Sequence, residues 1–95
     1  MSMIDKKKFY NFCKEQGLPF ITTDEAVQYS KSITNSQLQK FSIIRERLLN
    51  EINKTINSKL SFLKTNKLSY LTTAKQLVTE CIDAFYNPEK YFKYQ

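Results

Sequence analysis

The residues of this chain that could take part in catalysis are few, and their types and positions argue against an enzyme. Glu80 and Asp83 stand three apart, so on a helix they would share one face as a carboxylate pair. That face lies opposite the apolar stripe of the same segment, where carboxylates are usually solvated. Histidine, the usual base for a serine or cysteine nucleophile, does not occur in the sequence. We therefore expect no catalytic residues and no enzymatic activity.

The two cysteines and the single glycine do not suggest a metal, cofactor or phosphate site. Cys13 and Cys81 fall at apolar positions of predicted helices, where a thiol is usually a small buried hydrophobe. The sequence has neither a CxxC spacing nor a histidine to bind zinc. Gly17 stands alone, so no glycine-rich loop is present to hold a phosphate group. We expect neither a metal nor a cofactor.

Positive charge is the most informative chemical feature of the chain, whose net charge is +6. Lys40, Arg47 and Lys54 recur every seven residues, which places them in one stripe along a helix, away from its apolar face. A line of cations suits a nucleic-acid backbone, although an ordinary solvated helix face would show the same pattern. Arg45 falls within the apolar stripe, where its side chain either snorkels to water or faces a partner.

Acidic residues are missing from two long stretches, 26–45 and 52–79, each centred on a predicted turn between helices. Lys67 and Lys75 lie in the second stretch. A basic surface attracts polyanions, of which nucleic acid is the commonest. The predicted nucleic-acid-binding residues are Lys40, Arg45, Arg47, Lys54, Lys67 and Lys75.

The elements that must position these residues are helices. One glycine and two prolines are too few for the turns of an all-β protein. The 95 residues suffice for one domain, over 1–87, followed by a short aromatic and basic tail over 88–95. The fold class is therefore an all-α bundle of four to five helices with one long central helix. Capping residues and breaks place the helices at about 5–16, 23–32, 36–64 and 68–86.

The long central helix is predicted from apolar residues that step by three or four over 36–64. Asn53, Asn57 and Ser58 are weak helix formers in its middle. An unbroken helix and a bend or loop near Asn57 both remain open, and Asn66 is expected to mark the turn into the last helix. The apolar residues of the stripe are Leu38, Phe41, Ile44, Leu48, Ile52, Ile56, Leu60 and Leu63.

The hydropathy of the chain does not suggest a membrane protein. No apolar run approaches the roughly 18 residues of a membrane span, and the N-terminus shows no signal-peptide core. We expect a cytoplasmic protein.

A first resemblance concerns residues 22–41. The segment TTDEAVQY at 22–29, followed by Ile33 and Thr34 and then by Leu38–Phe41, resembles the helix-turn-helix of excisionases and MerR-type regulators. In those proteins a capped helix precedes a recognition helix that enters the major groove. This resemblance implies a DNA-binding regulator.

A second resemblance covers more of the chain, roughly residues 26–85. Residues 33–41, ITNSQLQKF, and 59–71, KLSFLKTNKLSYL, resemble two segments of the small subunit of type III-A CRISPR effector (Csm) complexes. The resemblance implies a non-catalytic helical bundle whose copies stack along the crRNA–target duplex of a multisubunit complex. It also implies that target-strand phosphates are faced by Lys40, Arg45, Arg47, Lys67 and Lys75.

The resemblance and the charge pattern lead to one principal hypothesis about function and two alternatives. The principal hypothesis is an RNA-binding structural subunit of a CRISPR complex, whose partners are RNA, other subunits and copies of itself. The first alternative is the helix-turn-helix regulator. The second is a phage- or plasmid-encoded protein that binds another protein, as an inhibitor or immunity factor does.

Overall fold

The computed structural model describes residues 4–92 and confirms the all-α fold class. Five helices and no strand occur in this range, and the molecule measures 47 × 26 × 21 Å. Within the same range, no helix combines the length and the apolar character that crossing a bilayer requires. The helices are α1 (Lys6–Glu15), α2 (Thr23–Ser30), α3 (Asn35–Ile56), α4 (Ser61–Tyr86) and α5 (Pro88–Tyr91).

Helix α1 begins and ends close to the predicted positions because its capping residues are encoded locally. The Asp5 side chain accepts a hydrogen bond from the backbone N–H of Lys8 at 3.1 Å. At the other end Gly17 has a φ of +80°, and the N–H of Leu18 donates to the carbonyl of Cys13 at 2.8 Å. This helix ending needs a left-handed residue, a conformation that glycine adopts without strain.

Threonine residues cap α2 and α3. Thr22 Oγ1 accepts the backbone N–H of Glu25 at 3.1 Å and donates to the Glu25 carboxylate at 3.0 Å. Thr34 and Gln37 form a reciprocal capping box, with each side chain bonded to the backbone N–H of the other residue. Both helices therefore begin within one residue of the positions that the capping residues predict.

The predicted helix over 36–64 is divided in the structure, and the turn predicted at Asn66 is wrong. The chain turns at residues 57–60, so Asn66 lies inside α4. In this turn the Ser58 hydroxyl accepts the backbone N–H of Leu60 at 3.1 Å. Serine and asparagine side chains compete in this way for backbone hydrogen bonds, which favours a turn over a continuous helix.

Helices α3 and α4 form an antiparallel hairpin onto which the other helices pack. Glu51 pairs with Lys67 near the turn, whereas Arg45 and Asp83 line one cavity at the far end of the hairpin. Helix α4 packs against α1, α2 and α3 and supplies the largest share of the buried core. Its buried residues are Leu71, Ala74, Leu77, Val78, Cys81, Ile82 and Ala84.

Aromatic contacts hold the N-terminal segments against this hairpin. The rings of Phe9 and Phe12 in α1 lie 5.7 and 5.8 Å from the ring of Tyr70 in α4, between centroids. Phe20, in the loop after α1, lies 6.0 Å from Phe41 of α3. Aromatic pairs at these separations add to the stabilisation that burial gives.

The predicted aromatic and basic tail returns to the bundle over its described part. Residues 88–91 form α5, and the Lys31 ammonium at the end of α2 lies 4.6 Å from the ring centre of Phe92. This is a cation–π distance, so the tail is tied to a second helix. Residues 93–95 of the predicted tail lie outside the described residues.

Candidate nucleic-acid interface

The turn between α3 and α4 gathers lysines that are distant in sequence. Lys54 comes from the last turn of α3, and Lys64 and Lys67 come from the first two turns of α4. The antiparallel hairpin brings all three to one cleft of about 250 Å³. We call this cleft the basic cleft; its lining residues are Glu51, Lys54, Thr55, Ser58, Leu60, Lys64 and Lys67.

Glu51 is the acidic residue that faces these lysines within the cleft. Its Oε1 lies 3.7 Å from Lys54 Nζ, and its Oε2 lies 3.5 Å from Lys67 Nζ. The two lysine side chains remain 77% and 54% exposed, so both ammonium groups stay accessible from solvent. One carboxylate thus faces three lysines, which leaves the cleft with excess positive charge.

The start of α4 adds to this positive potential. No side chain caps the first amides of the helix among the residues described, and its first turn contains no acidic residue. The N-terminal end of a helix carries a partial positive charge. Lysines are unfavourable there for the helix itself, and an anion in the cleft would offset that cost.

Arg47, a predicted binding residue, has a structural contact that the sequence did not predict. Its guanidinium donates to the Gln16 backbone carbonyl at 3.2 Å and to the Gln16 side-chain oxygen at 3.0 Å. Gln16 caps the C-terminal end of α1, where carbonyl groups attract cations. Arg47 therefore joins α1 to α3.

Lys40 lies on the same exposed side of α3, near the opposite end of the helix. It is exposed, and it stands 14 residues before Lys54, which corresponds to about 21 Å along the axis. The predicted stripe of Lys40, Arg47 and Lys54 is thus present on the helix surface. Its two lysines lie too far apart to contact one phosphate group.

Arg45 and Lys75 lie on a different side of the hairpin. Arg45 is 200° from Arg47 on the helical wheel and lines a cavity of about 240 Å³ with Glu80 and Asp83. Lys75 is half-buried beside Leu49 in a neighbouring groove. The structure therefore brings Lys54 and Lys67 together, keeps Arg47 and Lys40 along the same helix face, and separates Arg45 and Lys75 from them.

Two charged residues of the basic cleft, Lys64 and Glu51, are not among the predicted binding residues. The signal that identifies them is the turn near Asn57, because a hairpin there brings the flanking charges together. Placing the turn at Asn66 puts Lys64 on the wrong helix.

Both cysteine thiols and the Asp83 carboxylate are held in states that disfavour covalent reaction. Burial raises the pKa of the Cys13 and Cys81 thiols to about 11, so both are protonated at neutral pH. Asp83 accepts hydrogen bonds from Tyr91, Asn87 and Lys90, which lower the pKa of its carboxyl. Such a carboxylate is ionised and occupied by structural partners.

The basic cleft is thus an accessible, positively charged recess between two helices of the hairpin. Its chemistry suits the reversible binding of an anionic group, which its ammonium groups and hydroxyls can hold without a covalent step. Comparison of the chain with protein-family models, curated proteins and solved structures finds no match.

Proposed function

We propose that this chain is a non-catalytic nucleic-acid-binding module that contacts the phosphate backbone at the basic cleft. The observation that carries the proposal is the convergence of Lys54, Lys64 and Lys67 on one recess that contains a single carboxylate. Lys59 is exposed in the turn, between the lining residues Ser58 and Leu60. Lysine ammonium groups act as point charges, so they position a backbone and read little sequence.

The resemblance to the small Csm subunit supports RNA as the ligand and a multisubunit complex as the setting. One resembling segment begins at Ile33 and includes the cap of α3, and the other, residues 59–71, contains Lys64 and Lys67. We propose a cytoplasmic subunit that lies along a guide–target duplex beside other subunits and copies of itself. Contacts to phosphate alone suffice for that role, since base pairing reads the sequence.

The proposal is tested by the salt dependence of RNA binding. We expect Lys54→Gln, Lys64→Gln and Lys67→Gln together to weaken binding of a labelled oligouridine. Each phosphate contact to a single strand contributes about 0.7 to the slope of log K against log salt. The triple variant should therefore reduce the slope by about 2, measured by fluorescence anisotropy over a salt series.

The control for this experiment is a second triple variant with the same change in charge. Lys7, Lys8 and Lys14 are exposed on α1, and replacing them with Gln lowers the net charge equally. We expect the control to change the slope by less than about 1. Equal slopes for the two triple variants would refute the assignment of the cleft.

One structural feature favours the helix-turn-helix alternative. Helices α2 and α3 are joined by four residues, and the second and third turns of α3 expose Lys40 and Ile43, the latter 68% exposed. Exposed side chains at these positions of a recognition helix could contact base edges in a major groove. Selection from random duplex DNA separates the two functions, because a regulator would enrich one sequence and a backbone binder none.

A further inference from the structure

The two oxygens of the Glu51 carboxylate each face a different lysine. Oε1 is directed at Lys54, one turn further along α3, and Oε2 at Lys67 across the hairpin. A backbone phosphodiester also presents two non-bridging oxygens that share one negative charge. Glu51 therefore occupies the basic cleft in the way that a phosphate group would.

The fold does not depend on these ion pairs. Lys54 is 77% exposed and Lys67 is 54% exposed, and exposed ion pairs of this type contribute little to the stability of a fold. Neither lysine donates to another carboxylate among the described residues. A ligand can therefore break this pairing without unfolding the bundle.

We propose that Glu51 is an internal counter-ion that competes with nucleic-acid phosphates for Lys54 and Lys67, and that it makes the cleft selective for consecutive phosphates. This inference rests on the proposed function, because it concerns the same cleft. A single phosphate gains too little binding free energy to displace a carboxylate that is already held in the cleft by its own helix. An oligonucleotide contacts Lys64 and the exposed Lys59 as well, and these added contacts shift the competition in its favour.

The test removes the charge of Glu51 while keeping its shape. Glu51→Gln should bind labelled oligouridine about fivefold more tightly at low salt, since a like charge near contact distance in water has an effect of that size. The salt slope should steepen by about 0.7, which corresponds to one additional phosphate neutralised. Inorganic phosphate should compete measurably with oligouridine on the variant and only weakly on the native protein.

Glu46→Gln provides the matched control. Glu46 is an exposed carboxylate on the same helix, about 140° from Glu51 on the helical wheel, and it does not line the basic cleft. Its replacement changes the net charge by the same amount, so it measures the long-range effect alone. We expect this variant to change the affinity by less than about twofold.

The outcomes separate this inference from the proposed function. If both glutamine variants bind oligouridine with the affinity of the native protein, Glu51 is not a competitor, whereas the triple lysine variant decides separately whether the cleft is the binding site. If the native protein and both variants show no binding, the proposed function fails and the inference fails with it. Glu51→Ala, checked for folding by circular dichroism, repeats the test with a shorter side chain and should tighten binding as Gln does.

Discussion

At the scale of single residues, neighbouring cations on one helix face have different roles. Arg47 donates from Nη2 of its guanidinium to two oxygen atoms of Gln16 and so has a structural role. Lys54, one heptad further along α3, faces the basic cleft instead. A regular spacing of charges therefore predicts their direction on a helix and leaves their partners undetermined.

Arg47 is expected to contribute more to stability than to nucleic-acid binding. Arg47→Gln should lower the free energy of unfolding by about 1 kcal/mol, because two hydrogen bonds to the end of α1 are lost. Urea unfolding followed by circular dichroism measures this change. Lys40→Gln, which removes a charge from the same stripe and no described hydrogen bond, is the control and should change the stability by less than about 0.5 kcal/mol. Equal effects of the two substitutions would contradict the role of Arg47.

At the scale of elements, the last helix is held to α4 by one carboxylate. Asp83 accepts hydrogen bonds from Tyr91 Oη at 2.6 Å, Asn87 Nδ2 at 2.9 Å and Lys90 Nζ at 3.2 Å. These donors favour the charged form of the carboxyl and hold its pKa below the ordinary value, with the Tyr91 hydroxyl as the main cause. A helix of four residues cannot be stable alone, so Asp83 determines where α5 lies.

The contribution of Asp83 to the stability of the fold should decrease as the pH falls. Because the pKa is lower in the folded protein than in the unfolded chain, the stabilisation is complete above the ordinary carboxyl pKa. It is lost as the pH falls through the folded value. The melting temperature of Asp83→Asn should therefore lie below that of the native protein at neutral pH, and the difference should disappear in strong acid. Glu89→Gln, in α5, is the control and should show no such pH-dependent difference. A melting-temperature difference for Asp83→Asn that stays the same at every pH would refute the role of the ionised carboxylate.

At the scale of the whole molecule, α4 is the helix against which the other helices pack. It packs against α1, α2 and α3, and Leu71 and Val78 near its middle are almost fully buried. The short helices α1 and α2 have too few residues to be stable without it. We therefore expect the described bundle to unfold as one cooperative unit, and the basic cleft to be lost with it.

A substitution in the middle of α4 tests this cooperativity. Leu71→Ala should lower the free energy of unfolding by about 2–5 kcal/mol, because it leaves a cavity in the core. Near- and far-ultraviolet circular dichroism should show the same urea midpoint, since tyrosine packing and helices would be lost together. Ile43→Ala, at an exposed site of α3, should change the stability by less than about 0.5 kcal/mol. Different urea midpoints for the two signals would contradict unfolding as one cooperative unit. If Leu71→Ala does not fold, Leu71→Met provides a milder substitution for the same test.

The all-α class and most helix ends follow from the sequence because their causes are local. Asp5, Thr22 and Thr34 cap helices through hydrogen bonds to amides three residues away, and Gly17 ends α1 through its own backbone conformation. The apolar periodicity correctly predicts the burial of Leu38, Phe41 and Leu48, whereas Ile56 and Leu60, at the end of the predicted stripe, are exposed beside the turn. Such features need no knowledge of the rest of the fold.

Only the tertiary structure decided which cations share a surface. The turn at 57–60 could be suspected from its asparagine and serine residues, but the apolar spacing continues past it, so periodicity could not place the end of α3. Once the chain reverses there, Lys67 meets Glu51 and Lys75 moves to another side of the hairpin. Charge proximity across two helices depends on the register of their packing, which no local pattern encodes.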